Sequence, residues 1–212
     1  DSVESGELDG STVFYVNADD NYRGSVEKLE IVEQLGIEML VPYRNDFNPG
    51  HLVADMWHAA QADQARNIII VLDTLKKFTN LMDKTEGTNF GKVARQFTQA
   101  GGTLIGLAHT NKHRDDEGRS VYSGTTDIAD DSDCVYIIDA IDADKASGKR
   151  TVNFRNTKLR GDVAQEKSFA YVRREGQSYA DLVNSVSVVD EETAKQEKKL
   201  AAKKNKYYAD KL

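Results

Sequence analysis

The stretch that decides the fold is Ile68-Ile69-Ile70-Val71-Leu72-Asp73-Thr74. Its first five residues are aliphatic and four of them are β-branched, which predicts a strand buried on both faces of a parallel sheet. The run then ends abruptly in a carboxylate and a hydroxyl. Ligands of open α/β sheets bind at the carboxyl ends of the strands, so Asp73 and Thr74 are the first candidate site residues.

Strand-like and helix-like segments alternate on both sides of this stretch. Further strands are predicted at residues 13–16, 38–41, 103–108 and 134–138. The last two are predicted to be buried, like the central run at 68–72. Apolar residues at helical spacing predict helices over residues 22–35, 51–65 and 90–100. Half-exposed strands at 150–155 and 168–172 then predict an antiparallel hairpin. The order predicts an α/β fold with a mostly parallel central sheet and helices on both faces.

Polar side chains follow three of the predicted strands. Asp19 and Asp20 come after the strand at 13–16, Asp73 after the central run, and His109 after the strand at 103–108. If these strands are parallel neighbours, the three ends converge on one edge, where two carboxylates and an imidazole could hold a metal-bound phosphate. Each group also has a purely structural interpretation, because Asp73-Thr74 is a possible helix cap and Asp19-Asp20 a possible polar turn.

Composition narrows the function classes. The 212 residues carry a net charge of −7, which argues against a broadly basic nucleic-acid binder but allows local basic loops. A single cysteine, Cys134, excludes an internal disulfide framework and a cysteine-cluster zinc site. No apolar run reaches the ~18 residues of a membrane span, and no signal peptide is visible at the start. We therefore expect a cytoplasmic protein without a membrane partner, cut from a longer chain because it does not begin with Met.

These strand ends together resemble the RecA-like ATPase core, in particular the hexameric replicative helicases and their plasmid RepA-type relatives. Residues 67–75 resemble the Walker B strand, 15–20 the second strand, and 101–109 the sensor strand. Residues 123–130 resemble the glycine-serine segment that follows, and Asn156-Thr157-Lys158-Leu159-Arg160-Gly161 resembles the Lys-x-Arg finger. The resemblance covers roughly residues 11–175 and implies a three-layer sandwich. It divides the chain into a core at 1–185 and a charged helical tail or linker at 186–212.

The resemblance implies a role for each site residue. Asp73, with Thr74, binds the magnesium of ATP through water, and His109 senses the γ-phosphate. Asp19 orients the attacking water, but the family usually has Glu at this position, so Asp20 could share the role. Lys158 and Arg160 reach into the neighbouring subunit of a homo-oligomeric ring.

One family motif has no counterpart in the chain. No G-x-x-x-x-G-K-[ST] sequence is present, and this P-loop precedes the strand at 13–16 in the family. Its lysine and backbone amides bind the phosphates. We therefore expect ATP and Mg²⁺ as cofactors of a parent protein and little nucleotide affinity in this chain by itself. Beside the strand at 103–108 we expect a sheet edge that is exposed or is filled by another chain or segment.

A charged segment follows the sensor strand. Its Lys112, Arg114 and Arg119 are candidates for DNA contact, since the corresponding loops of RecA-like motors line a central channel. A second candidate set follows the Walker B strand and consists of Lys76, Lys77 and Lys84. The alternative is a solvated surface loop.

Three functions remain open at this stage. The first is a part of a RecA-like motor, a DNA helicase or replication ATPase. The second is a non-enzymatic module that uses a degenerate ATPase fold for assembly or interaction. The third is a RecA-like ATPase of recombination or signalling.

Overall fold

The computed structural model describes residues 9–44, 46–80, 83–116, 119–123, 126–143 and 147–190, with short pieces at 192–193, 196–197 and 199–200. These residues divide into two compact units. The first is drawn from residues 1–109 and 123–132, and the second from residues 110–122 and 133–212. In the predicted tail at 186–212, residues 191, 194–195, 198 and 201–212 lie outside the described residues.

The first unit is built on a four-stranded sheet. Its strands are β1 (Val13–Asn17), β2 (Glu38–Leu40), β3 (Ile69–Asp73) and β4 (Thr103–Leu107). The sheet order is β2-β1-β3-β4 and every pairing is parallel. The prediction of a mixed α/β fold with a parallel sheet is therefore confirmed.

In its described residues this unit contains four α-helices, α1 (Tyr22–Gln34), α2 (Leu52–Gln61), α3 (Lys84–Gln99) and α4 (Thr126–Asp131). The start of α3 at residue 90 was predicted wrongly, because its first turns are polar and carry no apolar pattern. The carboxylate of Asp83 accepts hydrogen bonds from the backbone N–H groups of Thr85 and Glu86 and so starts the helix earlier.

An apolar core joins the sheet to α2 and α3. Val16 and Leu72 from the sheet are fully buried, and they pack in one cluster with Met56 of α2 and Phe97 of α3. The ring of Phe97 lies so close to Gly102 that a Cβ at this glycine would come within 2.3 Å of it. This glycine lets the chain turn from α3 into β4 against the ring.

Strand β4 is not buried on both sides, as its apolar run predicts, but it has the exposed edge that the missing P-loop strand predicts. In the described part of the chain it pairs only with β3 and lies at the edge of the sheet. Ile105 and Leu107 are consequently 46% and 41% exposed. The apolar composition of the segment indicated burial, but burial depends on a neighbour on each side, and the sequence pattern does not report neighbours.

The second unit is antiparallel. It contains a hairpin of β5 (Thr110–Arg114) and β6 (Ser120–Tyr122). Its sheet has the order β10-β9-β8-β7, and the helix α5 (Tyr179–Asn184) precedes β10. The four strands of this sheet are β7 (Cys134–Ala143), β8 (Lys149–Leu159), β9 (Glu166–Val172) and β10 (Ser187–Val189).

Two predictions for this unit need correction, and one is confirmed. The strand predicted at 134–138 extends to Ala143 and pairs antiparallel with β8 instead of joining the parallel sheet. The charged segment after β4, predicted as a loop, forms the β5–β6 hairpin, because cross-strand pairing compensates for its low strand propensity. The antiparallel pairing of β8 with β9 agrees with the prediction. Strand β10, beyond the predicted boundary at residue 185, pairs with β9.

No helix in the part of the chain that the structure describes is both long and apolar enough to cross a membrane.

The packing of Phe97 gives the first testable prediction. Phe97→Ala removes a ring that is 1% exposed and leaves a cavity between α3 and the sheet, so it should lower the free energy of unfolding by about 3–5 kcal/mol. Tyr22→Ala, at a residue of α1 that is 78% exposed, is the control and should change the free energy of unfolding by less than about 1 kcal/mol. Urea unfolding followed by circular dichroism measures both. Equal losses in the two variants would contradict the core described above.

Candidate functional site

The ends of β1, β3 and β4 lie side by side. Asn17 is in register with Asp73, and Asp73 with Leu107. The backbone N–H of Ala18 donates to the carbonyl of Asp73 at 2.5 Å, and the hydroxyl of Thr74 donates to the carbonyl of Leu107 at 2.8 Å. The peptide bond between Asp73 and Thr74 is cis. Backbone and side-chain hydrogen bonds thus hold the three strand ends together at one edge of the sheet.

The carboxylate of Asp73 is bound by two donors from other elements. The hydroxyl of Tyr15, on β1, donates to its Oδ2 at 2.5 Å. The Nζ of Lys28, on α1, lies 3.1 Å from the same oxygen and 2.8 Å from the Tyr15 hydroxyl. Asp73, Tyr15 and Lys28 therefore form a closed triangle of hydrogen bonds.

Lys28 also binds a second carboxylate. Its Nζ lies 2.6 Å from Oδ2 of Asp20, closer than to Asp73. The side-chain amide of Asn17, which is 1% exposed, donates to the same Asp20 oxygen at 2.9 Å. One ammonium group therefore bridges the acids that follow β1 and β3, and its own side chain is only 18% exposed.

Asp19 lies in a different arrangement from Asp20. Its Oδ2 is 3.4 Å from Nε2 of His109, and its Oδ1 is 3.6 Å from Nζ of Lys76. The side chains of Asp19 and His109 are 36% and 63% exposed, so solvent reaches both. The structure thus brings together the acid after β1 and the imidazole after β4, as parallel strand ends allow.

Burial and hydrogen bonding set the protonation of the Lys28 triangle. Burial and the hydrogen bond to Asp73 raise the pKa of Tyr15 above its ordinary value of 10.0. Burial opposes the charge of Lys28, but hydrogen bonds to Asp20, Tyr15 and Asp73 outweigh it and raise the pKa of this amine above 10.5. At neutral pH the triangle therefore holds a neutral phenol and a charged ammonium.

The magnesium expected at Asp73 can be tested against these contacts. Among the described residues, both side-chain contacts of Asp73 fall on Oδ2, so Oδ1 is the oxygen that could face a hydrated cation. Magnesium keeps several of its waters in proteins, so one carboxylate oxygen is compatible with a water-mediated site. Within the described ranges, no group of three or more His, Cys, Asp or Glu side chains is arranged to hold a metal ion directly.

A cavity opens beside this edge in the first unit. Its volume is about 520 Å³, and its lining includes Lys76, Lys77, Thr79 and His109. It brings two cationic side chains from the segment after β3 next to the imidazole after β4. Lys84, the third basic residue of that predicted set, is the first residue of α3.

The two residues predicted as a finger belong to the second unit. Lys158 is half-buried near the end of β8, and Arg160 follows the strand. The backbone N–H of Arg160 donates to the carbonyl of Asp133 at 3.0 Å, and its guanidinium lies 3.3 Å from the carboxylate of the same residue. This residue pair fixes the segment after β8 against the start of β7.

The predicted DNA-contacting residues lie on the β5–β6 hairpin, also in the second unit. Lys112 and Arg114 are exposed on β5. Arg119 lies just before β6, and its Nε is 2.8 Å from Oδ2 of Asp115. In the glycine-serine segment, Gly124 and Thr125 lie outside the described residues.

Sequence reasoning missed Lys28, which is the centre of the site. A signal was present, because Lys28 lies at helical spacing with Ser25 and Val32 and therefore faces the sheet side of α1. A lysine on the inward face of an amphipathic helix needs a buried partner. The contact of Tyr15 with Asp73 was not predicted, because an aromatic residue within the apolar run of β1 is typical of any strand.

No protein-family model matches the chain, and no curated protein matches it. The assignment of a function therefore depends on the arrangement of these residues.

The Lys28 triangle gives a prediction for stability and its pH dependence. Lys28→Met leaves the carboxylates of Asp20 and Asp73 without their shared cation, so it should lower the free energy of unfolding at pH 7 by about 2 kcal/mol. Because the folded pKa of Lys28 is raised, its contribution is complete below the unfolded pKa of 10.5 and declines as pH rises above it. The difference in free energy of unfolding between Lys28→Met and the unchanged protein should therefore become smaller above about pH 10.5.

Thermal unfolding between pH 7 and 11.5 measures this difference. Lys92→Met, at an exposed lysine of α3, is the matched control and should unfold like the unchanged protein at every pH. A constant difference between Lys28→Met and the unchanged protein across this range would show that Lys28 contributes packing and no electrostatic stabilisation.

Proposed function

We propose that the chain is part of a RecA-like ATP-hydrolysing motor, a DNA helicase or replication ATPase. The observation that carries the proposal is the shared edge of β1, β3 and β4. These three strands are parallel neighbours in the order β1-β3-β4, and the groups that follow them, Asp19, Asp73 and His109, are those to which the resemblance gives roles at the nucleotide. The three-layer RecA-like arrangement is part of the proposal.

The contacts favour Asp19 over Asp20 as the acid that orients the attacking water. Both of these contacts of the Asp20 carboxylate, with Lys28 at 2.6 Å and with Asn17 at 2.9 Å, fall on Oδ2, so the strongest of them ties Asp20 to the ammonium that also binds Asp73. Asp19 is more exposed and lies next to His109, the proposed sensor of the γ-phosphate. A general base must reach solvent and substrate, which Asp19 does more readily.

ATP and Mg²⁺ are the cofactors of the proposed motor. Asp73 would hold the hydrated magnesium, which neutralises charge on the phosphates. The phosphate-binding lysine and amides of a P-loop would come from another segment of the parent protein. The exposed edge of β4, with Ile105 and Leu107, is where the resemblance places the strand that leads into a P-loop.

One observation favours a second candidate, a non-enzymatic module with a degenerate ATPase fold. Lys28 already supplies a positive charge to Asp73, so the acid pair is satisfied without a metal. A thermal shift assay with Mg²⁺ and ATP on the parent protein separates the two candidates. An ATP-dependent rise in melting temperature that Asp73→Asn abolishes supports the motor, and no rise supports the module.

The two acids should affect different steps in the parent protein. Asp73→Asn should weaken binding of magnesium-ATP about tenfold, because a charge directed at the metal is lost. Asp19→Asn should leave binding nearly unchanged and lower kcat by about 10²-fold or more, because the water is no longer oriented.

Binding titrations and steady-state ATPase rates measure these effects. Asp20→Asn is the matched control at the neighbouring acid and should reduce kcat less than Asp19→Asn. A larger loss of turnover in Asp20→Asn would reassign the catalytic acid.

Arg160 is proposed to act across a subunit boundary of a homo-oligomeric ring. A guanidinium delivered in this way stabilises charge on the γ-phosphate and contributes on the order of 10³–10⁵ in rate. Arg160→Ala should therefore lower kcat strongly with little change in nucleotide affinity. Its contact with Asp133 provides a control, since Asp133→Asn removes the partner within the chain and should leave kcat much higher than Arg160→Ala does.

Mixing two inactive variants tests whether Arg160 acts on the neighbouring subunit or within its own chain. Rings that contain both Arg160→Ala and Asp19→Asn subunits have some sites with an intact Asp19 and a neighbour's intact Arg160. ATPase activity should partly return on mixing. If labelled subunits exchange and no activity returns, Arg160 acts within its own chain.

A further inference from the structure

The β5–β6 hairpin is held by an ion pair on the antiparallel sheet. The backbone N–H of Ser120, at the start of β6, donates to Oδ1 of Asp139 at 2.8 Å. The carbonyl of the same residue accepts from Nη2 of Arg155 at 3.3 Å. Both backbone groups of one hairpin residue are therefore taken by side chains of β7 and β8.

The two side chains also contact each other. Nη2 of Arg155 lies 3.5 Å from Oδ2 of Asp139, and the two side chains are 27% and 16% exposed. Arg155 is opposite Ile137 in the β7–β8 register, so it sits diagonally across from Asp139 on the same face of the sheet. We call Ser120, Asp139 and Arg155 the hairpin clamp.

The clamp explains which unit the hairpin joins. The hairpin follows β4 of the parallel sheet directly in sequence, yet residues 110–122 pack with the antiparallel unit. Ser120 is 8% exposed, whereas Lys112 and Arg114 on the paired strand are exposed. The hairpin is therefore anchored at its β6 end and presents basic side chains from β5.

We propose that the Asp139–Arg155 pair is a positioning device that holds this hairpin so that its exposed Lys112 and Arg114 contact a nucleic-acid backbone. The proposal rests on the DNA contact of the proposed function and adds residues that do not touch DNA themselves. Arg155 lies on β8, the strand that also carries Lys158, so the device connects the hairpin to the segment of the proposed finger.

Asp139→Asn distinguishes a positioning role from a purely electrostatic one, because the two roles predict opposite changes in nucleic-acid affinity. Asp139→Asn removes a negative charge, so simple electrostatics predicts tighter binding of a polyanion. Positioning predicts the opposite, because the weakened clamp lets the hairpin move. We expect affinity for a labelled oligothymidylate to fall about tenfold, on the order of the effect of one hydrogen bond to a charged group. Glu175→Gln makes the same charge change at an exposed turn of this unit and should bind as tightly as the unchanged protein, or slightly more tightly.

Two further variants test the geometry at constant charge. Arg155→Lys keeps the positive charge but loses the planar pair of donors, and it should weaken binding in the same direction as Asp139→Asn. Ser120→Ala keeps both backbone groups that the clamp uses and should bind normally. Fluorescence anisotropy with the 212-residue chain measures oligothymidylate binding by all four variants.

Amide hydrogen exchange gives a readout that does not depend on DNA. In Asp139→Asn and Arg155→Lys, residues 111–114 should exchange about tenfold faster while β8 and β9 stay protected. Protection of β8 and β9 also shows that the variants fold. Unchanged exchange of the hairpin, or tighter DNA binding by Asp139→Asn, would overturn the clamp.

A third outcome separates the clamp from the proposed function. If the hairpin loosens as expected but neutralising Lys112 and Arg114 leaves oligothymidylate binding unchanged, the DNA contact of the proposed function fails. The clamp's hold on the hairpin is then supported, and its role in positioning DNA is overturned.

Discussion

The ammonium of Lys28 is the interaction on which the candidate site depends. It lies within 3.1 Å of Asp73 and 2.6 Å of Asp20, and it hydrogen-bonds the hydroxyl of Tyr15. Two acids at neighbouring strand ends repel each other unless a positive charge lies between them. Because Lys28 comes from α1, the helix is tied to the sheet at the same point where the strands meet.

This shared cation divides the acids at the sheet edge. Asp20 and Asp73 share Lys28, whereas Asp19 faces His109 and Lys76 and is more open to solvent. Neighbouring residues in the sequence, Asp19 and Asp20, therefore have different surroundings and different chemical capabilities. Under the proposed function, this division leaves one acid for the water and one oxygen of Asp73 for hydrated magnesium.

Charge also organises the second unit, in another way. The Asp139 carboxylate accepts from the backbone N–H of Ser120, and the Arg155 guanidinium donates to its carbonyl, so an ion pair holds the hairpin at its β6 end. Hydrogen bonds to charged groups are stronger than those between neutral groups. The basic residues that are left exposed on β5 are thereby placed on a fixed support.

The sequence by itself determined the parallel strands and the polar residues at their ends, because hydrophobic runs and their abrupt stops are local features. It placed Asp19, Asp73 and His109 at one edge by a general rule of parallel sheets. It could not place Lys28 on Asp73, the pairing of β7, or the hold of Asp139 on Ser120. Each of these depends on which segments become neighbours in space, and neighbours distant in the chain leave no periodic signal. Only the tertiary structure decided them.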